Sequence, residues 1–150
     1  SYITEDDGKK RLPAVLYGET DIVDADGNFI SHRRLSAPEN LTWKSLRSGM
    51  LVCHQAFYAR ADIAKNNPFD LSYRFSSDFD WCIRIMKDAE KKRLPLVDSH
   101  IVLANYLKEG TTTRNHKASL KERFRIMAKY YGFFRTSFNH VWFALRTVIK

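Results

Sequence analysis

The stretch RFSSDFDWCIRIM (Arg74–Met86) contains the clearest helix signal of the chain and places two carboxylates at its start. Four apolar residues recur at i, i+3, i+4 and i+7, which predicts the buried face of a helix running to about Lys92: Cys82, Ile85, Met86 and Ala89. Ser77 and Asp80 have the spacing of a capping box, in which each side chain binds a free backbone N–H of the first turn. The stretch therefore predicts a helix that begins near Ser77.

Two interpretations of Asp78 and Asp80 follow from this position. Acids in the first turn stabilise a helix by roughly 0.3–1 kcal/mol through its dipole, so both residues could serve the helix start alone. A carboxylate on a rigid helix start with one open side can instead act as a general base. The two positions lie about 200° apart around a helix, so only one of them can face a given cleft. The spacing leaves open which one does.

The composition predicts one ordinary globular unit. A chain of 150 residues with 44% hydrophobic content can bury a single core. Cys53 and Cys82 show neither a CxxC pair nor a zinc spacing, so we expect two buried thiols and a reducing compartment. The sequence shows no signal-peptide pattern and no run of about 18 apolar residues, so we expect neither a signal peptide nor a membrane span.

The net charge of +8 is concentrated at the C-terminal end. Residues 117–150 contain eight Lys or Arg against one acid, Glu122, whereas the preceding residues contain 17 basic and 16 acidic side chains. Aromatic side chains alternate with these cations: Phe133, Phe134, Phe138, Trp142 and Phe143. A basic amphipathic segment of this kind is typical of helices that lie in a membrane interface. The apolar stripe favours lipid or a partner groove over nucleic acid.

The remaining patterns predict a mixed α/β fold. Strand-like residues, the turn ADGN and further extended residues predict a hairpin over Ala14–Leu35. Gly49–Arg60 is a mostly apolar run and predicts a buried strand, followed by a short helix at ADIAK, and Leu94–Leu107 predicts one or two strands. Two helical stripes, separated near Gly132, complete the chain. We expect a mixed sheet with flanking helices and a helical C-terminus.

Three further groups of residues have competing interpretations. Asp24 and Asp26 form a D-x-D, but Asp and Gly are also hairpin-turn residues, and we favour the turn. His54 beside Gln55 in an apolar run favours a core histidine, and the five histidines show no metal-ligand spacing. The segment Gly110–Lys117 suits an anionic group such as a phosphate, but an ordinary capped loop is favoured.

Four blocks, taken in order, resemble the second half of a bacterial family 2 glycosyltransferase with a GT-A fold. They are VLYGETDIVDADGNFISHR, SGMLVCHQAFYAR, FDLSYRFSSDFDWCIRI and YLKEGTTTRNHKASLKER. The resemblance runs from about Val15 to Tyr131, and the order and spacing of the blocks carry it. It implies a partial GT-A-like sheet, with the acceptor side and catalytic base in residues 1–116 and a basic amphipathic helical tail in residues 117–150. It also implies a helix and a loop over YITEDDGKKRLPA.

The resemblance implies a role for individual residues. Asp78 occupies the position of the carboxylate that deprotonates the acceptor hydroxyl in an inverting displacement. Asp80 takes a neighbouring acceptor-side position with a structural or helix-orienting part, and Trp81 belongs to the same segment. His54 and Gln55 become acceptor-site residues. Two residues are placed in the loop that closes over the donor diphosphate: Arg114 and His116.

The resemblance implies that the family's first half has no counterpart in this sequence. That half binds the nucleotide-sugar donor and ends in the D-x-D that holds a divalent cation, Mg or Mn, so we expect the cation only in the complete enzyme and no metal ligand here. The implied partners are a nucleotide-sugar donor, a glycan or lipid-linked acceptor of surface polysaccharide synthesis, and the cytoplasmic face of an anionic membrane, with no nucleic acid. The alternative is a binding module without catalysis that docks on a membrane or partner.

Overall fold

The structure, a computed structural model, describes residues 4–6, 9–108 and 116–148 and combines strands with helices. The strands are β1 (Thr4–Asp6), β2 (Lys9–Arg11), β3 (Val15–Val23), β4 (Phe29–His32), β5 (Phe57–Ala59) and β6 (Leu96–Leu107). The helices are α1 (Ala61–Lys65), α2 (Ser77–Lys91), α3 (His116–Tyr131) and α4 (Phe133–Val148), with 3-10 turns at Trp43–Ser48 and His54–Ala56. The predicted mixed α/β class with a helical C-terminal end is confirmed.

The main sheet is organised around β3. Along one edge β3 pairs in parallel with β6, from Val15 opposite Leu96 to Val23 opposite Leu107. On its other edge β5 pairs with the start of β3 and β4 with its end, both antiparallel. A strand has only two edges, so β4 and β5 share one of them. The sheet is therefore mixed, with β3 at its centre.

Gly18 allows β3 and β6 to approach closely at an irregularity in their pairing. The register shifts between Tyr17 and Glu19, opposite the part of β6 in which His100 has a φ of 56°. A Cβ added at Gly18 would lie 2.6 Å from the carbonyl oxygen of Ile101 and would overlap the Ser99 hydroxyl. Only glycine fits this position without a shift of β6.

The predicted hairpin is present and closes through Asp24. The Asp24 carboxylate accepts the backbone N–H groups of Asp26 (3.0 Å) and Asn28 (2.8 Å), and Gly27 adopts a φ of 85°. These contacts make DADG a turn, as the residue types favoured. By contrast, the helix expected near the N-terminus is wrong for the described residues, because β1 and β2 are strands that pair antiparallel.

The core lies where α2 packs against the sheet and α3. The predicted stripe of α2 is confirmed, since Cys82, Ile85, Met86 and Ala89 are all buried, and both cysteines are buried free thiols. Fully buried neighbours come from β3, a 3-10 turn, α1 and α3: Val15, Tyr17, Leu46, Ile63 and Ile126. Burial of such side chains stabilises a fold by about 1.5–3 kcal/mol each. This core fixes α2 relative to the sheet.

The strand predicted over Gly49–Arg60 is wrong for most of its length, because only Phe57–Ala59 is a strand and His54–Ala56 is a 3-10 turn. The Arg33 side chain explains the difference. Its guanidinium donates hydrogen bonds to the carbonyl oxygens of Met50 and Leu51, so these backbone groups need no strand partner.

The two C-terminal helices differ in how they are packed. α3 contributes Ile126 and Met127 to the core, although the sequence places it in the basic tail. α4 buries Thr136 but exposes a row of apolar side chains: Phe133, Phe134, Phe138, Val141 and Trp142. No helix in the described ranges is long and apolar enough to span a bilayer. The row of exposed apolar side chains in the tail therefore lies on α4, and its contact with a membrane stays a prediction.

Candidate active site

The start of α2 is held in place by α3. The carboxylate of Glu122 accepts three consecutive backbone N–H groups, those of Arg74 (3.0 Å), Phe75 (2.7 Å) and Ser76 (3.0 Å). The Ser76 hydroxyl also lies 3.2 Å from that of Ser119. Charged acceptors bind N–H groups more strongly than neutral ones. Glu122 therefore fixes the segment that leads into the first turn of α2.

The capping box predicted for Ser77 and Asp80 is wrong. The cap residue is Ser76, whose side chain makes no capping hydrogen bond, and Ser77 is already the first helical residue. The Asp78 carboxylate accepts the N–H of Phe79 at 2.8 Å instead. Glu122 of α3 already accepts the backbone N–H groups that precede α2. A capping hydrogen bond from Asp80 is therefore not needed, and the Asp80 side chain can face another direction.

Asp78 and His54 form a pair at the mouth of a cavity. The Nδ1 of His54 lies 3.1 Å from Oδ2 of Asp78, and 27% of the Asp78 side chain is exposed. The 3-10 turn at His54–Ala56 brings the histidine to the helix start. The cavity is about 220 Å³ and is lined by Ile22, Arg33, Met50, Cys53, His54, Asp78, Tyr106 and Arg123. The fold thus joins two predicted site residues that are 24 positions apart in sequence.

The surroundings keep Asp78 ionised. Burial alone would raise its pKa, but the His54 hydrogen bond and charge, the Phe79 N–H and the Arg123 cation together lower the pKa below 3.8. An ionised carboxylate only accepts hydrogen bonds, so the His54 Nδ1 carries the hydrogen in this contact. The open side of the ionised Asp78 carboxylate can then accept a proton from a ligand.

Asp80 belongs to a different environment. Its side chain has no exposed surface, and its carboxylate accepts hydrogen bonds from Arg84 (2.7 Å), Tyr130 (2.8 Å) and Lys129 (3.5 Å). These groups tie α2 to α3. Asp80 does not line the cavity. The two acids of the first turn therefore point to different sites, as their angular separation predicted.

The other predicted site residues are not brought together with Asp78. Trp81 stacks on Phe69 with ring centroids 5.0 Å apart and meets Phe57 edge-on. Gln55 is exposed beside His54 and does not line the cavity. Arg114 lies outside the described residues, and His116 is described only as the first backbone position of α3. The donor-diphosphate assignment of these two residues stays a prediction.

The cavity does not fit a divalent cation. Asp78 is its single carboxylate, and two arginines line the same space. Among the described residues, no group of three or more His, Cys, Asp or Glu side chains could hold a metal ion. Hard divalent cations prefer several oxygen ligands and are repelled by guanidinium groups. No chemical step is assigned to a metal on these residues.

Sequence reasoning missed three residues that shape this site: Arg33, Arg123 and Glu122. Arg33 lies in the predicted hairpin, and no spacing relates it to Asp78. In the sequence, Arg123 is one of eight cations in residues 117–150. Glu122 carried a usable signal, because it is the only acid in residues 117–150. An isolated acid in a basic helix indicates a specific partner, which here is the start of α2.

Comparison with known proteins identifies no relative, since no family model, no curated protein and no solved structure matches the chain.

Proposed function

We propose that the chain is the acceptor-binding and catalytic-base half of an inverting glycosyltransferase with a partial GT-A-like fold. The observation that carries the proposal is the Asp78–His54 pair, which opens on a cavity at the N-terminus of a buried helix. It joins two of the residues that the family resemblance assigns to the acceptor side. The complete enzyme takes its nucleotide-sugar and divalent cation on the nucleotide-binding half.

The chemistry of this proposal uses one proton acceptor. Asp78 takes the proton of the acceptor hydroxyl. The oxygen of that hydroxyl bonds to the anomeric carbon, and the bond from this carbon to the nucleotide diphosphate breaks, with inversion at the carbon. His54 donates to Asp78 through Nδ1 and orients the carboxylate. The Phe79 N–H holds the second carboxylate oxygen, so the rotation of the side chain is restricted.

The test is Asp78→Asn in the chain joined to its nucleotide-binding half. Asparagine keeps the shape but cannot accept the proton, so we expect transfer to fall about 10²- to 10⁴-fold, the usual contribution of a general base. Binding of the nucleotide-sugar, measured by calorimetry, should be unchanged. Turnover within a few-fold of the unaltered enzyme would refute the assignment of Asp78 as base.

The exposed side chains of α4 support a second candidate function, which is docking on the anionic cytoplasmic face of a membrane. Phe134 and Phe138 are 87% and 73% exposed, and Arg135 lies exposed between them. Apolar burial in the interface combined with attraction of cations to acidic lipids is how such helices bind. This function is compatible with catalysis and also describes a module without it.

Liposome co-sedimentation tests the membrane proposal. The chain should pellet with vesicles that contain phosphatidylserine and much less with phosphatidylcholine alone. The double variant Phe134→Ser, Phe138→Ser should lose the binding, whereas Leu71→Ser, which alters an 88% exposed apolar residue elsewhere, should keep it. Equal binding to both kinds of vesicle would exclude an electrostatic contribution and with it this mode of docking.

A further inference from the structure

The cavity beside Asp78 carries an excess of positive charge. Arg33 and Arg123 both line it, against the single carboxylate of Asp78. Within the part of the chain that the structure describes, neither arginine lies within ion-pair distance of an acid. Burial lowers the pKa of Arg33, and the neighbouring Arg123 cation also lowers it. The charge of Glu19 opposes these effects on Arg33, but within the cavity lining two guanidinium groups face one carboxylate, so one positive charge is in excess.

Arg33 is fixed by the backbone around it. Its guanidinium donates to the carbonyl oxygens of Leu35 (2.9 Å), Leu51 (3.0 Å) and Met50. Carbonyl oxygens satisfy the N–H donors but carry no net charge. Arg33 therefore contributes a positioned charge to the cavity without being available for many new hydrogen bonds.

Arg123 has the opposite character. Its guanidinium lies over the Phe79 ring, 5.7 Å from the centroid, and its buried Nε has no hydrogen-bond partner. A buried donor on a charged group is costly to leave unpaired, so an acceptor bound beside Arg123 would stabilise this arrangement. The cation–π contact with the ring helps to hold the guanidinium in place, and this planar fork matches the oxygens of a phosphate or carboxylate.

We propose that Arg123, supported by the charge of Arg33, forms an oxyanion subsite that binds a phosphate or carboxylate group of the acceptor molecule. The assignment to the acceptor rests on the proposed function. An acceptor hydroxyl bound to Asp78 occupies this cavity, whereas in-line attack places the leaving diphosphate on the far side of the anomeric carbon. The substrate class is therefore an acidic glycan or a phosphate-bearing acceptor.

Titration of the chain with inorganic phosphate, followed by the NMR signals of the arginine Nε–H groups, tests the subsite itself. We expect the Arg123 signal to move and saturate, and the Arg123→Gln variant to bind phosphate about tenfold more weakly or worse. The matched control is Arg125→Gln, which removes the same charge from an exposed position two residues along the same helix. Equal loss in both variants would show a general effect of net charge and overturn the subsite.

Asp78→Asn provides a second test that does not depend on the folding of an arginine variant. Removing the one negative charge of the cavity should tighten phosphate binding several-fold, because the repulsion between carboxylate and anion is lost. Unchanged affinity would place the bound phosphate outside the cavity and overturn the proposal. So would an Arg123 signal in the unaltered chain that phosphate does not move.

Three ligands distinguish the source of the anion: a hexose 6-phosphate, the neutral hexose and uridine diphosphate. We expect the hexose 6-phosphate to shift the Arg123 Nε–H signal and to compete with phosphate, and the neutral hexose to do neither. A larger Arg123 shift with uridine diphosphate would assign the subsite to the donor and overturn the acceptor assignment. These outcomes are independent of the transfer assay with Asp78→Asn, so failure of the subsite and failure of the proposed function are distinguishable.

Discussion

The two acids in the first turn of α2 share a helix but have opposite surroundings. Asp78 keeps 27% of its side chain exposed, pairs with His54 and lines an open cavity. Asp80 has no exposed surface and receives donors from α2 and α3. A carboxylate whose lone pairs are filled by fixed donors stabilises a fold, whereas one with an open side can accept a proton from a ligand. The two residues are of the same type, so their different burial and hydrogen-bond partners suit Asp80 to stabilising the fold and leave Asp78 able to accept a proton.

The largest effect on folding is expected at Asp80. Asp80→Ala leaves Arg84, Lys129 and the Tyr130 hydroxyl without their shared acceptor, and we expect the free energy of unfolding to fall by about 3 kcal/mol. Asp78→Ala should cost less than about 1 kcal/mol, because its pair with His54 is partly open to water. Urea unfolding of both variants measures the contrast. Similar losses at the two positions would contradict it.

Glu122→Gln comes next in expected size. The amide keeps one acceptor oxygen but loses the charge that receives three N–H groups, so we expect a loss of about 2 kcal/mol and weaker order at Asp78. Glu90→Gln is the control, since Glu90 is exposed and its carboxylate accepts the Trp43 indole N–H. Unfolding curves and the amide NMR signals of residues 74–79 provide the measurement. Unchanged signals there would show that Glu122 does not position the helix start.

His54→Ala should have a smaller effect, and on transfer rather than on stability. Loss of this partner leaves Asp78 oriented by the Phe79 N–H alone, so under the proposed function we expect kcat to fall about tenfold with little change in KM for the donor. The matched control is Gln55→Ala, an exposed neighbour on the same 3-10 turn. An equal loss from both variants would assign the effect to the turn and not to the pair.

The smallest expected effect is on how stability depends on pH. The pKa of Asp78 is lowered in the folded chain, so its ionised form stabilises the fold above its ordinary pKa of 3.8, and this contribution is lost as the pH falls through the lowered value. In His54→Ala the pKa should rise, because burial is then opposed only by the Phe79 N–H and Arg123. Carboxyl carbon NMR measures both titrations. A pKa unchanged by the substitution would remove His54 as a cause of the shift.

Much of the fold was predictable because local patterns determine it. The α2 stripe, the hairpin turn at Asp24 and the break between α3 and α4 at Gly132 all follow from side-chain periodicity or turn chemistry. The expected strand over Gly49–Arg60 failed because its backbone is satisfied by Arg33, a side chain far away in sequence. The capping box failed for the same reason, since Glu122 replaced a local interaction with a distant one.

The candidate site was only half predictable. Asp78 and His54 were named from the sequence, but their contact required the fold. The role of Arg123 could not be derived, because its position beside Asp78 depends on how α3 packs on α2 through Ile126 and Met127. In the sequence it was one cation among eight in the tail.

The sequence by itself determined the helix start, the placement of two acids about 200° apart on it and the concentration of cations toward the C-terminus. These properties depend on neighbours within a few residues, and local geometry suffices for them. Only the tertiary structure decided which acid faces the cavity, because that depends on the direction in which α2 buries its apolar face. It likewise decided that Asp78 pairs with His54 and lines a cavity together with Arg123, since the proximity of distant residues follows from packing and not from spacing.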